Sequence, residues 1–401
     1  MKQINFDEII DRKDSGCFSY NGLQEEFGRG DLLPLWVADM DFATPPFIID
    51  ALKRRLDHPI LGYPSTPAAY RQAIVDWVAS HHQWNIRHEW VSYIPGIVRG
   101  IGLVVNRMTT PDDEVVIMPP IYHPFRHIPE GNKRKVVECP LKAYPRPLPE
   151  GKGVLLYPAI DFDRLETVCN EKTRLLILCN PHNPIGICWD REVLSRLAHF
   201  CHERNILVVS DEIHCDMTLF GHKHIPFASV SEEAAAISIT FQAPTKTFNI
   251  AGIVSSYAIV PNPELRERFT GWLEANEFDY PHIFAPIATM AAFSAEGEEW
   301  RQQMLSYVED NVRFVEDYCR EYLPQIHPVR PQASFLVWLD CRELGLSHGQ
   351  LIDLFVNRAH LALNDGAMFG KQGSGFMRLN VGKPRAIIRQ ALNQLRKAIE
   401  N

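Results

Sequence analysis

Ile237-Ser-Ile-Thr-Phe-Gln-Ala-Pro-Thr-Lys-Thr-Phe-Asn-Ile-Ala-Gly252 joins an alternating, β-type run, Ile237 to Phe241, to a turn of small residues that carries one lysine, Lys246. No residue within three positions of it can supply an acidic partner. Lysine is almost never buried unpaired. A lysine at the end of a buried strand with no carboxylate beside it therefore either folds out to solvent or has a chemical task.

Two upstream segments favour the chemical task. Leu175 to Cys179 is a continuous apolar strand that runs into the polar turn Asn180-Pro-His-Asn-Pro-Ile-Gly186. Ile206 to Val209 is a second apolar strand, and Ser210-Asp-Glu-Ile-His214 stands at its end. Asp190 to Asn205, between them, has a helical pattern. The order is strand and Asn, helix, strand and Asp, strand and Lys. Polar groups at strand ends are where open α/β sheets bind ligands.

Asn, Asp and Lys at successive strand ends suit pyridoxal phosphate. A lysine amine can form a Schiff base with its aldehyde, an aspartate can keep its pyridine nitrogen protonated, and an asparagine can donate to its phenolic oxygen. The chain resembles the fold-type I pyridoxal-phosphate enzymes of the aminotransferase class I/II superfamily. Ser210-Asp-Glu-Ile-His214, Asn180-Pro-His-Asn-Pro184 and Pro244-Thr-Lys-Thr-Phe-Asn-Ile-Ala-Gly252 are most similar to its cystathionine β-lyase and cystalysin-like C–S lyase branch. The resemblance implies an α/β fold, with a large domain on a mostly parallel central sheet and a smaller α+β domain built from both chain ends. The expected division is an N-terminal segment and part of the small domain at 1–45, the cofactor-binding domain at 46–285, and an interdomain helix with the C-terminal small domain at 286–401.

The same resemblance assigns candidate residues along the chain. Leu33 to Phe42 resembles the segment that lines the substrate pocket, with the backbone at Ala38 facing substrate. As an unassigned stretch it reads as an edge strand of the small domain, and both readings can hold together. Tyr63, in Gly62-Tyr-Pro64, matches a tyrosine that crosses a dimer interface to the partner's cofactor phosphate; on its own it reads equally as a packing residue. Tyr93-Ile-Pro-Gly-Ile-Val98 reads as strand, glycine turn and helix start, and such a turn presents free N–H groups to a phosphate. Ile97 and Val98 would supply that backbone, and Thr245 a hydroxyl. Tyr122 matches the aromatic residue stacked on the pyridine ring, and His123 follows it with no assigned role. Asn183, rather than Asn180, holds the motif position of the phenolic partner, with His214 beside it. Arg378, in Phe376-Met-Arg-Leu-Asn380, matches the arginine that grips the substrate α-carboxylate through two parallel hydrogen bonds. A long amphipathic helix is expected from Glu298 to Leu323, and a proline-rich surface excursion from Lys133 to Phe162.

The expected chemistry has Lys246 as base, Asp211 stabilising the charged ring, and Tyr122 and Tyr63 in supporting catalytic roles. Ordinary aminotransferases of the superfamily often place an arginine on the phosphate eight residues after the lysine; here that residue is Val254. The departure favours β-elimination from a small sulfur amino acid, such as L-cystathionine, over amino transfer, which stands as the alternative. A second alternative is a lyase that also binds a transcription factor. A homodimer with shared active sites is expected from the resemblance and Tyr63.

Composition limits the other classes. The 401 residues are 46% hydrophobic and 22% charged, with a formal net charge of −8, which argues against a nucleic-acid surface. No apolar run approaches the roughly 18 residues that suggest a membrane span, and Met1 to Asp14 lacks the apolar core of a signal peptide. Nine scattered cysteines without a Cys-x-x-Cys pair suggest a reducing cytoplasm. Cys179, His182, Cys188 and His214 lack zinc-ligand spacing, so no metal is expected.

Overall fold

A computed structural model describes residues 3–147 and 154–400. Its centre is a seven-stranded sheet. In chain order the strands are β1 (Val91–Ile94), β2 (Glu114–Ile117), β3 (Lys135–Glu138), β4 (Thr173–Cys179), β5 (Leu207–Asp211), β6 (Ser238–Gln242) and β7 (Ser256–Ile259). Their order across the sheet is β1-β7-β6-β5-β4-β2-β3, and only β7 runs antiparallel to its neighbours. The C-terminal ends of β1, β2, β4, β5 and β6 therefore open on one edge. That shared edge brings together residues far apart in sequence.

The strands read as nearly unbroken apolar runs because helices cover both faces. Val115, Ile117, Leu175, Ile177 and Val209 pack on one side with Ile97, Ile101 and Val104 of the helix Ile97–Met108. Val116, Leu176, Leu178 and Val208 turn to the other, where Leu194, Leu197 and Cys201 of the helix Arg191–Glu203 meet them. Successive side chains of a strand point to opposite faces. A two-sided core then demands apolar residues at every position. β6 alternates polar and apolar residues yet is enclosed on both faces. All five of its residues are buried, including Ser238, Thr240 and Gln242. Gln242 is there because it donates to Glu212 at 3.0 Å.

A second, antiparallel sheet combines His327–Val329, Leu336–Asp340, Phe376–Asn380 and Asn364–Asp365, in that spatial order. The N-terminal segment closes against it. Leu33–Pro34 pairs in parallel with Leu361–Ala362, and Asn380 donates through its side chain to the carbonyls of Val37 and Asp39. The edge-strand reading of Leu33 to Phe42 is thus correct for its first two residues. The long helix runs Ala295–Tyr322, starting three residues before the expected Glu298 because Ser294 caps it through Gly297 N–H.

After β7 the chain forms a helix at Pro263–Arg266, passes through a π-helical turn at Glu267–Gly271 and ends in a helical turn at Trp272–Ala275. The excursion between Lys133 and Phe162 contributes β3 to the central sheet and a hairpin, Lys142–Pro147 with Val154–Ala159. Its tip, 148–153, lies outside the described residues.

Candidate active site

The shared sheet edge opens into a cavity of about 400 Å³. Lys246, Asp211, Asn183, His214, Tyr122 and Ala38 line it. Ile97, Val98 and Thr245 form its far end with Arg99 and Val254. The three strand-end motifs therefore converge as the sequence suggested. Asn180 does not join them. It is buried behind the cavity and donates to the Ile225 carbonyl at 2.9 Å.

Lys246 sits in the turn after β6, and its Nζ donates to the Ala38 carbonyl at 2.5 Å. Burial lowers its pKa to about 8, against the pull of Asp39 and Asp211, while Arg378 pushes the same way as burial. A near-neutral pKa is what a lysine needs to act as a nucleophile or base. Asn249 fixes the turn: its side chain accepts from Met40 N–H at 3.0 Å and donates to the carbonyls of Met40 and Phe42. The Lys246 turn and the segment holding Ala38 are thus locked as one unit.

Asp211 ends β5. Among the described residues, its carboxylate accepts one hydrogen bond, from Ile213 N–H at 3.0 Å. Burial raises its pKa to about 7. Burial, Lys246 and Arg378 push the His214 imidazole down to about 3, and its Nδ1 has no partner. His123, beside Tyr122, shows the same direction of shift. Burial, aided by His127 and Arg378, lowers its pKa to about 4, so it is neutral at neutral pH.

Arg378 lies in the middle of Phe376–Asn380 and is 4% exposed. It donates to Asn183 Oδ1 at 2.9 Å, to the Trp36 carbonyl at 3.1 Å and to Asn364 Oδ1 at 2.5 Å, while its Nε has no acceptor. Burial without a carboxylate lowers its pKa to about 10. Tyr122 stands at the same cavity with its phenol pushed up by burial.

At the far end, Gly96 turns the chain into the helix Ile97–Met108 with φ +106°, a region L side chains rarely adopt. No side chain caps this helix. Its first N–H groups are consequently free and carry the positive end of the helix dipole. Arg378 stands behind the cavity wall and touches it through Asn183, whereas Tyr63 is away from the cavity altogether. This tyrosine is fully exposed, beside the exposed Ile60 and Leu61.

Sequence reading missed Asp39, Asn249, Asn364 and Arg99. Asn249 stands inside the Lys246 motif with nothing local to mark its role, and Asp39, Asn364 and Arg99 are ordinary polar residues outside the strand-end motifs. Asp39 is the most consequential, because its charge reaches Lys246 while Arg12 holds its other oxygen at 2.7 Å. A separate buried group, His82, Cys215 and Asp216, has the composition of a metal site. Asp216 Oδ1, however, already accepts from Trp77 Nε1 at 3.0 Å and bonds His82 Nε2 at 2.9 Å.

The cavity's unfilled valences fit pyridoxal phosphate. Among the described residues, Asp211 lacks a cationic hydrogen-bond partner, Lys246 is a buried amine, His214 Nδ1 and, behind Asn183, Arg378 Nε are unpartnered, and the uncapped helix start at Ile97 and Val98 lines the cavity.

Comparison with known proteins agrees. Residues 30–395 match the aminotransferase class I and II family. The chain is 40% identical to cystathionine beta-lyase PatB of Bacillus subtilis, over 99% of this chain and 100% of that one. Among solved structures it is similar to cystalysin from Treponema denticola, which contains a pyridoxal 5′-phosphate cofactor. The TM-score is 0.92 at 32% identity, covering 99% of each chain. It is also similar to the pyridoxal-phosphate-bound C–S lyase from Staphylococcus hominis. There the TM-score is 0.87 at 31% identity, covering 99% of this chain and 98% of that one.

Proposed function

Because the chain belongs to the aminotransferase class I and II family, we propose that it is a pyridoxal-phosphate-dependent carbon–sulfur β-lyase. Its fold is the fold-type I one. Its substrate is L-cystathionine or a related cysteine S-conjugate, released as thiol, pyruvate and ammonia. The observation that carries this reading is the meeting of Lys246, Asp211 and Asn183 in one cavity with Arg378 directly behind Asn183.

When bound, the cofactor supplies an aldehyde for an amine and a ring that draws electrons from the substrate Cα. The protein's residues supply the rest. Asp211 holds a proton on the ring nitrogen, and a cation there relieves the burial that raises its own pKa. Asn183 and His214 orient the phenolic oxygen, and Tyr122 packs against the ring. Ile97 and Val98 N–H groups, with Thr245, take the phosphate. Arg378, through its free Nε, and Asn183 take the substrate α-carboxylate and so fix which Cα bond faces the ring.

Lys246 then removes and holds the Cα proton. Its pKa of about 8 leaves a usable fraction of free amine near neutral pH. The Ala38 carbonyl, 2.5 Å away, steers that amine. General-base catalysis of this kind is worth about 10²–10⁴-fold.

The exposed Ile60, Leu61 and Tyr63 support a homodimer in which Tyr63 reaches the partner's phosphate end. The second sheet and the long helix support the division near residues 45 and 285 into a large and a small domain. No described helix is long and apolar enough to cross a membrane, and the cysteine pattern supports a cytoplasmic location. The test is product analysis with L-cystathionine. Sustained release of pyruvate, ammonia and homocysteine without an added keto acid is expected. Turnover only in the presence of a keto acid would make the protein an aminotransferase.

A further inference from the structure

The phosphate end of the cavity contains a cation that no motif predicts. Arg99 is the third residue of the helix Ile97–Met108, and its side chain lines the cavity. Its Nη1 donates to the Pro95 carbonyl at 3.2 Å, across the glycine turn at Gly96. Among the described residues no carboxylate comes within ion-pairing distance of it. This sets it apart from Arg12, Arg301 and Arg330, each held by an acid. An exposed arginine with four uncommitted N–H donors, leaning over an uncapped helix start, suits an oxyanion bound at that start.

Val254 explains the need for it. A Cβ on Gly96 would lie 3.6 Å from Val254 Cγ1, so position 254 sits directly over the turn. The side chain it offers there is apolar, and its carbonyl is occupied by the Tyr93 hydroxyl at 3.2 Å. Residue 254 therefore brings no charge to the phosphate end. Lys246 has its amine committed to the Ala38 carbonyl. A dianion in the turn would otherwise face only backbone dipoles and hydroxyls.

We propose that Arg99 is a cofactor-binding residue that supplies the charge-assisted hydrogen bond to the phosphate from the helix side of the cavity, replacing a cation at position 254. The assignment rests on the pyridoxal-phosphate reading above. It makes the affinity difference between pyridoxal phosphate and pyridoxal, which lacks the phosphate, depend on residue 99.

The test measures binding of both compounds to the full-length chain by the absorbance of the bound form. The variants are Arg99→Ala, Arg99→Lys and Arg99→Ala combined with Val254→Arg. A hydrogen bond to a charged group corresponds to roughly 10- to 100-fold in affinity. Arg99→Ala should weaken pyridoxal phosphate by that factor and leave pyridoxal unchanged. The pyridoxal value also reports that the variant still folds. Arg99→Lys should recover part of the loss, and Val254→Arg should recover part from the other side of the turn. Val254 has φ +49°, a left-handed conformation strained for a β-branched residue and milder for arginine. Equal loss for both compounds, or no loss for pyridoxal phosphate, would overturn the assignment. Failure of the unaltered chain to bind either would overturn the cofactor reading, and this assignment with it.

Discussion

Asp211 and Glu212 are consecutive acids at the end of the same strand, both buried, yet they lie in opposite electrostatic environments. Asp211 faces the cavity with one backbone donor, and burial lifts its pKa to about 7. Glu212 turns the other way. It accepts from Ser210 Oγ, Phe227 N–H and Gln242 Nε2, and it bonds His224 Nε2 at 2.9 Å. Those partners hold its pKa below the ordinary value despite complete burial. A buried carboxylate is costly unless hydrogen-bonded. Glu212 is built into the fold, whereas Asp211 is left open for a partner from outside the chain. Of these two acids, the one completed by the protein is structural and the one left incomplete faces the cavity.

The contrast breaks most sharply at Lys246. Lys246→Ala should reduce turnover by at least about 10²–10⁴-fold, measured as pyruvate release, while the thermal midpoint of the cofactor-free protein stays the same or rises. A clear fall in that midpoint would mean that the lysine is structural. Next is Glu212→Ala. It strands four donors in the interior, and each buried donor left without an acceptor costs about 1–3 kcal/mol, read by chemical denaturation. A loss under 1 kcal/mol would show that the network around Glu212 is not the anchor described here.

Asp211→Asn should do the reverse. Folded Asp211 keeps its proton to about pH 7, whereas the unfolded side chain has the ordinary value of 3.8. Between those values the folded chain binds more protons, so its stability falls as pH rises from about 4 to 7. Each pKa unit is worth about 1.4 kcal/mol. The cofactor-free Asn variant should lack this decline and be more stable than the parent at pH 8, yet be inactive when the cofactor is supplied. An Asn variant less stable than its parent at pH 8 would remove the distinction between the two acids.

Asn249→Ala sharpens the comparison further. It removes three hydrogen bonds that lock the lysine turn to Met40 and Phe42. The expected cost is about 1–3 kcal/mol, with a fall in kcat larger than the change in KM. The smallest effect belongs to the half-exposed ion pairs of Arg313 with Glu309 and Asp310. Arg313→Ala should change stability by no more than about 1 kcal/mol, which sets the baseline for a charge with neither role.

These differences also explain how much the sequence revealed. Asp211 and the Lys246 turn were legible because polar residues after apolar runs mark the functional edge of a sheet. Asn183, chosen over the adjacent-to-strand Asn180, and Arg378 were legible only through the resemblance of the motifs around them. Glu212 was not separable from its neighbour, since nothing local says which way each of two adjacent acids turns. That depends on Gln242 and His224, which reach it from other elements. Asn249, Asn364 and Asp39 act through contacts across the chain that no spacing rule encodes. Tyr63 is exposed outside the cavity of its own chain, a placement that no local pattern in the sequence encodes.

The most direct test of the central claim is to reduce the cofactor-loaded protein with borohydride, digest it and locate the modified residue by mass spectrometry. One pyridoxyl group per chain, carried on the peptide that contains Lys246, is the expected result. Modification at a different lysine, or none after loading with pyridoxal phosphate, would contradict the assignment of this cavity as the site of catalysis.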